Sequence, residues 1–160
     1  MTAQLVSPDK DQNIRKAKGI VFRLVKFRLR SEQELRDRLT AKNLPLPTIE
    51  QTIRYVKDMG LINDCLFAQQ WITSRLKKPF GINRIRLELK EKGIDAEIIK
   101  KAIAEVMPGY DEQTIVTELV RHRLRVYKNI DPEKTKQRIY GYLLRRGFNT
   151  NASLKAIENI

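Results

Sequence analysis

The chain has one cysteine, Cys65, and one histidine, His122, among 160 residues. An internal disulfide is therefore impossible, and no Cys/His set exists to hold zinc. A lone thiol suits a reducing, cytoplasmic setting. Within Leu61-Ile62-Asn63-Asp64-Cys65-Leu66-Phe67, Cys65 is expected to be a small buried side chain. Long apolar runs are missing too. Nothing approaches the roughly 20 residues that cross a bilayer, so no membrane contact is expected. The opening MTAQLVSPDKDQNIRKAKG lacks the apolar stretch of a secretion signal, and residues 1–14 read as a disordered polar tail. The seven glycines are scattered, and no G-x-x-x-x-G-K-[ST] phosphate loop occurs. Asp and Glu fall mostly at helix starts or beside Lys and Arg. Spacing alone leaves a carboxylate pair for metal-dependent nuclease work open, but no catalytic constellation emerges. The expectation is a non-enzyme with no metal and no cofactor.

Acid is in short supply as well. Against 32 Lys and Arg stand 19 Asp and Glu, a net charge of +13. An excess of that size favours polyanionic partners: nucleic acid, a nucleoprotein, or less readily an anionic membrane. Aromatics make up 7% of the chain. Phe22, Phe27, Phe67, Trp71 and Tyr142 sit at helical spacing among apolar residues, so core packing is expected for them. Trp71, one turn from Phe67 and one from Arg75, is expected between structural units. Stacking on single-stranded bases is open only for Tyr127 and Phe80.

What the sequence does have is a repeat. ELRDRLTAKNLPLPTIEQTI from Glu34, RIRLELKEKGIDAEIIKKAI from Arg84 and RIYGYLLRRGFNTNASLKAI from Arg138 align position by position. Leu35, Ile85 and Ile139 coincide, as do Leu39, Leu89 and Leu143. Lys42, Lys92 and Arg146 follow, then Asn43, Gly93 and Gly147, then Leu44, Ile94 and Phe148. The apolar residues one turn apart mark one face of a short helix. The Gly or Asn ends it in the left-handed conformation, the next hydrophobe tucks into the angle, and Asp95 or Asn149 caps the following helix. In the first copy Pro45 and Pro47 intervene, and Thr48 with Gln51 offers a capping box.

Each copy also has a preceding helix, over 17–30, 64–77 and 111–128. Asp64 and Asp111 are placed to cap the second and third of these. Ser31 with Glu34 forms a capping box for the next helix, and Asp131-Pro132 opens its equivalent in the last copy. The result is an all-α chain of three tandem three-helix, helix-turn-helix-like repeats over 15–62, 63–107 and 108–160. Units this small bury little surface alone. They are expected to stack into an elongated, curved monomer.

The position of the charge bears on function. A DNA-reading unit would put Arg, Asn or Gln on its third helix. The third helices, 48–59, 96–106 and 151–160, carry five cations (Arg54, Lys57, Lys100, Lys101, Lys155) and five acids (Glu50, Asp58, Glu97, Glu105, Glu158). The excess lies on first and second helices and their connections, Lys128 included. The candidate basic face is Arg84, Arg86, Lys90, Lys77, Lys78, Arg121, Arg125, Arg138, Arg145 and Arg146. Such a distribution favours phosphate or acidic protein surface over base edges. Charge reversal at Arg84 and Arg86 is expected to weaken binding without loss of helix.

The block Phe67-Ala68, Arg75, Gly81, Ile85, Leu89, Lys92-Gly93-Ile94, preceded by Gly60-Leu61-Ile62-Asn63-Asp64 and by Arg30-Ser31-Glu32-Gln33-Glu34-Leu35, resembles the RecX family, bacterial regulators of the RecA recombinase. The resemblance runs from about residue 17 to the end. Departures are Asn43 for the usual glycine, Cys65 where an acid is common, and the Pro45/Pro47 stretch. It implies a protein that lies along the groove of the RecA filament on single-stranded DNA. There it suppresses ATP hydrolysis, strand exchange and coprotease activity, with weak direct binding to single- or double-stranded DNA. The motif residues Phe67, Arg75, Gly81, Ile85, Leu89 and Gly93 read as structural. Arg75 is taken as a helix-end cation near backbone carbonyls, and Gly81 as a turn. The alternative is a direct, largely non-sequence-specific DNA-binding protein.

Overall fold

The structure, a computed structural model, describes residues 8–127 and 130–158. Its elements are α1 (Pro8–Val25), α2 (Glu32–Thr40), α3 (Leu46–Asp58), α4 (Asp64–Leu76), α5 (Ile82–Glu91), α6 (Ala96–Val106), α7 (Glu112–Val126), α8 (Pro132–Arg145) and α9 (Thr150–Ile157). A 3₁₀ turn, Met107–Gly109, follows α6, and there is no strand among the described residues. The chain forms two compact units. One comprises Met1–Phe67 with Lys92–Ile94, the other Ala68–Glu91 with Asp95–Ile160.

The first unit is built on α1, α2 and α3. Its core is Ala17, Val21, Leu35, Leu39, Leu44, Ile49, Ile53, Val56 and Ile62, all buried. Each fully buried Leu or Ile contributes roughly 1.5–3 kcal/mol relative to exposure. The second unit has a core of Val116, Val120, Ile139, Leu143 and Phe148 among α7, α8 and α9. Ala68, Ile72, Ile85, Leu89, Ile99 and Ile103 are buried on α4, α5 and α6.

The three turns take the expected form. Asn43, Gly93 and Gly147 have φ of 55°, 73° and 80°, and the hydrophobes after them, Leu44, Ile94 and Phe148, are 7, 5 and 2% exposed. Asp95 accepts from the Glu97 N–H, Asp111 from Thr114, Asp131 from Lys134 and Asn149 from Asn151, at 2.8 to 3.1 Å.

Two of these turns also do a second job. In the first unit the Ser31 hydroxyl accepts from Glu34 N–H (3.1 Å) and donates to the Lys92 carbonyl (2.7 Å). Lys92 Nζ reaches Glu34 at 2.7 Å. In the second unit Gly81, equivalent to Ser31, donates its N–H to the Arg146 carbonyl (2.9 Å), and Asn83 N–H donates to Gly147 O (3.2 Å). One motif, a helix start against the turn of a later repeat, is thus used twice. A β-carbon on Gly93 would lie 2.4 Å from Gln33 Cβ, and one on Gly147 would lie 2.3 Å from Arg84 N.

Several expectations fail locally. Residues 8–14, read as tail, are the first turns of α1, where Pro8 starts the helix and Asp9 and Asp11 face its positive end; residues 1–7 lie outside the described residues. α1 ends at Val25 rather than 30: the Lys26 N–H still bonds the Phe22 carbonyl in the α pattern, but the Phe27 N–H bonds Leu24, one residue nearer, and tightens the last turn. Arg28 then turns to Glu34 (3.0 Å). Phe22 is 39% exposed because the inward stripe of α1 runs through Ala17 and Val21, and Phe27, at 79%, lies past the end of α1. Cys65 is exposed, in the first turn of α4, before the buried Ala68 and Ile72. Asp64 does not cap its own helix. Asn63 does, accepting from Leu66 N–H at 2.9 Å, while Asp64 accepts from Glu32 N–H at 3.0 Å and so caps α2. No capping box forms at Thr48, since α3 already starts after Pro45 and Thr48 is buried inside it. Lys128 lies outside the described residues.

Candidate functional site

Nine of the ten candidate cations stand on or beside α4, α5, α7 and α8, and the tenth, Arg146, caps α8; all are in the second unit. The structure sorts them by what they touch. Arg84 and Arg146 are braced. Both guanidinium groups lie over the Phe80 ring, at 4.2 and 5.2 Å from its centroid. Arg146 also lies over Tyr142 (5.0 Å), as does Arg123 (4.0 Å). On the other side Arg84 Nε donates to Glu88 (3.1 Å), which also accepts from Arg75 Nε (2.6 Å) and Trp71 Nε1 (3.0 Å). Arg75 covers the Trp71 ring at 4.4 Å. Cation and ring therefore alternate from Arg123 through Tyr142, Arg146, Phe80 and Arg84, and Glu88 joins this ladder to Arg75 and Trp71. Such contacts hold guanidinium planes in fixed orientation.

Burial works against ionisation of Glu88, but the hydrogen bonds from Arg84 and Arg75 outweigh it and hold its carboxyl below the ordinary glutamate range. Hydrogen bonding to Tyr142 raises the Arg123 guanidinium above its ordinary value.

The remaining candidates, Lys77, Lys78, Arg86, Lys90, Arg121, Arg125, Arg138 and Arg145, are exposed. They are distributed over several surfaces. Arg145 lines a groove with Arg84, Leu87 and Leu144. Arg86 and Lys90 line a second groove between α5 and α6, and Arg121 lines a third with Lys155. Of the motif residues, Phe67 is 3% exposed, and Ile85 and Leu89 are fully buried. Arg75 is not a carbonyl cap; it is the ion-pair partner of Glu88. Gly81 follows the bend after α4 without a positive φ. It is glycine because a β-carbon there would stand 2.1 Å from the Gly147 carbonyl oxygen. Phe80 is already covered by two guanidinium groups, which disfavours base stacking on it.

Sequence reasoning missed Glu88, the carboxylate that fixes Arg75 and Arg84. Its signal was present, four residues after Arg84 on one helix face. It also set Lys100 aside as part of a neutral helix, whereas locally Lys100 shares a groove with Arg86. No group of three or more His, Cys, Asp or Glu among the described residues is placed to hold a metal ion. No helix there is long and apolar enough to cross a membrane.

Models of the first, second and third three-helix domains of RecX match residues 17–55, 63–103 and 110–157 in turn. Regulatory protein RecX of Amycolatopsis mediterranei is 36% identical over 150 residues, covering 92% of this chain and 85% of that protein. This chain belongs to the RecX family. Regulatory protein RecX of Mycolicibacterium smegmatis is 34% identical, with 89% of this chain and 78% of that protein covered. The crystal structure of RecX from Lactobacillus salivarius superposes with a TM-score of 0.77 at 22% identity, over 93% of this chain and 97% of that one. A second RecX crystal structure gives 0.82 at 20% identity, over 92% and 74%. The two agree in fold: an all-helical RecX chain of three three-helix domains. The RecX family is one of regulatory proteins and not an enzyme family.

Proposed function

We propose that this RecX protein is a negative regulator of the RecA recombinase. It binds the RecA filament on single-stranded DNA along its groove, as a monomer in the cytoplasm. Binding lowers ATP hydrolysis, strand exchange and coprotease activity. The observation that carries this reading is the match of all three family domains in order along the chain. The charge supports it: eight candidate cations are exposed on the second unit, while the third helices are neutral in sum, a pattern for gripping a polyanionic surface and not for reading bases. Several weak cationic contacts on one chain reinforce one another once the first has formed.

The test is RecA ATP turnover on single-stranded DNA with this protein added below stoichiometry. Turnover is expected to fall, and to recover as salt is raised. Unchanged turnover together with tight binding to bare duplex would establish the direct DNA-binding alternative instead.

A further inference from the structure

Two cations that line the groove between α5 and α6 have counterpart positions in the first unit, and the two pairs differ in charge. In the first unit Arg36 on α2 bonds Glu50 on α3, Nη2 to Oε2 at 3.1 Å, and also takes Glu32 at 2.8 Å. A cation on the second helix of that repeat is answered by a carboxylate on its third. The same positions one repeat later, 36 to 86 and 50 to 100, are Arg86 and Lys100. Both line the groove, with Lys90 beside them, and no carboxylate among the described residues lines it. Among the described residues Arg86 bonds the Asn83 side chain (2.9 Å) and no carboxylate. Lys100 has Glu97 of its own helix at 4.0 Å, both mostly exposed. In the last repeat the positions are Tyr140 and Leu154. The middle repeat alone sets two cations where its predecessor has an internal ion pair.

The groove, about 440 Å³, is floored by Ile99, Ile103 and Met107, with Ala104 as a low wall. Met107 is 46% exposed. A sugar-phosphate strand gains nothing from that floor, whereas an amphipathic helix gains both the floor and the charges. We propose that this groove receives an acidic amphipathic segment of a protein partner. One of its carboxylates sits between Arg86 and Lys100, as Glu50 sits on Arg36, and an apolar side chain seats against Ile103, Ala104 and Met107. The inference rests on the proposed function only for the partner's identity, and its test contains no RecA, so either can fail without the other.

The test is fluorescence anisotropy of the full chain with a labelled helical peptide repeating Leu-x-x-x-Glu, set beside an oligo-thymidine strand. The chain is expected to bind the peptide. Lys100→Glu gives Arg86 the internal carboxylate that Arg36 already has; it is expected to weaken peptide binding about tenfold or more while the melting temperature holds or rises. Ala104→Trp fills the groove without changing charge. It is expected to weaken the peptide similarly and to leave the thymidine strand within about twofold. Circular dichroism confirms the fold of both. No peptide binding, peptide binding indifferent to both variants, or a parallel loss of the thymidine strand in Ala104→Trp each overturns the proposal; the last would mark a nucleic-acid groove.

Discussion

At the scale of single residues, the two glycines that end α5 and α8 are fixed by neighbours as much as by torsion. Asn43, Gly93 and Gly147 all hold positive φ, yet only the first is asparagine. Asparagine tolerates that conformation, but Gly93 and Gly147 are also approached by Gln33 and by Arg84 to within 2.4 Å of a would-be β-carbon. Asn43→Gly is therefore expected to change stability by only a few tenths of a kcal/mol, while Gly147→Asn costs about 3 kcal/mol. Urea unfolding of the two variants measures the contrast. Gly81→Ala drives a methyl into the Gly147 carbonyl and is expected to cost about 3 kcal/mol. Gly19→Ala, in the exposed middle of α1 with no atom within 4 Å, is expected to stabilise by roughly 0.5 to 1 kcal/mol.

At the scale of elements, two carboxylates organise two helices. Glu34 on α2 is partly buried, which opposes its ionisation, but hydrogen bonds from Arg28 and Lys92 prevail and hold its pKa to about 2. An unfolded glutamate titrates near about 4.3. Ionised Glu34 thus stabilises the fold fully above that value, and the contribution is lost as pH falls from about 4.3 towards about 2. Glu34→Gln is expected to lower the melting temperature at neutral pH and to flatten its fall across that acid window, so that variant and parent converge at its lower end. On α5, Glu88 holds Trp71, Arg75 and Arg84. Glu88→Gln is expected to cost about 1–3 kcal/mol and to shift the emission of Trp71, the chain's single tryptophan. The ladder also redirects a test that the sequence suggested. Reversing Arg84 breaks the Glu88 clamp as well as removing a cation, so Arg86 with Lys90 is the cleaner pair.

At the scale of the whole molecule, a net charge of +13 makes binding to any polyanion sensitive to salt. Filament binding is expected to weaken steeply between about 50 and 200 mM salt. Reversing the exposed set Lys77, Lys78, Arg121 and Arg125 is expected to reduce both affinity and the steepness of that dependence, read from anisotropy on RecA-coated single strands. Unchanged steepness would move the contact to other cations. The charge ledger alone did not reveal which cations are free. It counted Lys100 as cancelled by acids elsewhere on the third helices, although screening and distance make charge a local matter.

Much of the fold was legible because its determinants are near neighbours in the chain. Leu35 and Leu39 or Ile85 and Leu89 share a helix face, Gly93 or Gly147 ends that helix, and Asp95 or Asn149 starts the next. Each step is a contact within about one helical turn, so order along the chain suffices. Misreadings arose where a partner is distant. Asp64 looked like the cap of its own helix but serves α2, Phe22 and Phe27 looked like core but are exposed, and Cys65 faces out. By itself the sequence determined the helices, their three-fold recurrence and the cationic excess. Only the tertiary structure decided that Arg146 and Arg84 are spent on Phe80, that Gly81 must lack a side chain, and that Arg86 and Lys100 share a groove without a carboxylate among the described residues. Those outcomes depend on which surfaces meet through space, and pairing across 60 or more residues, as of Ser31 with Lys92 or Arg146 with Pro79, leaves no periodic trace in the order of residues.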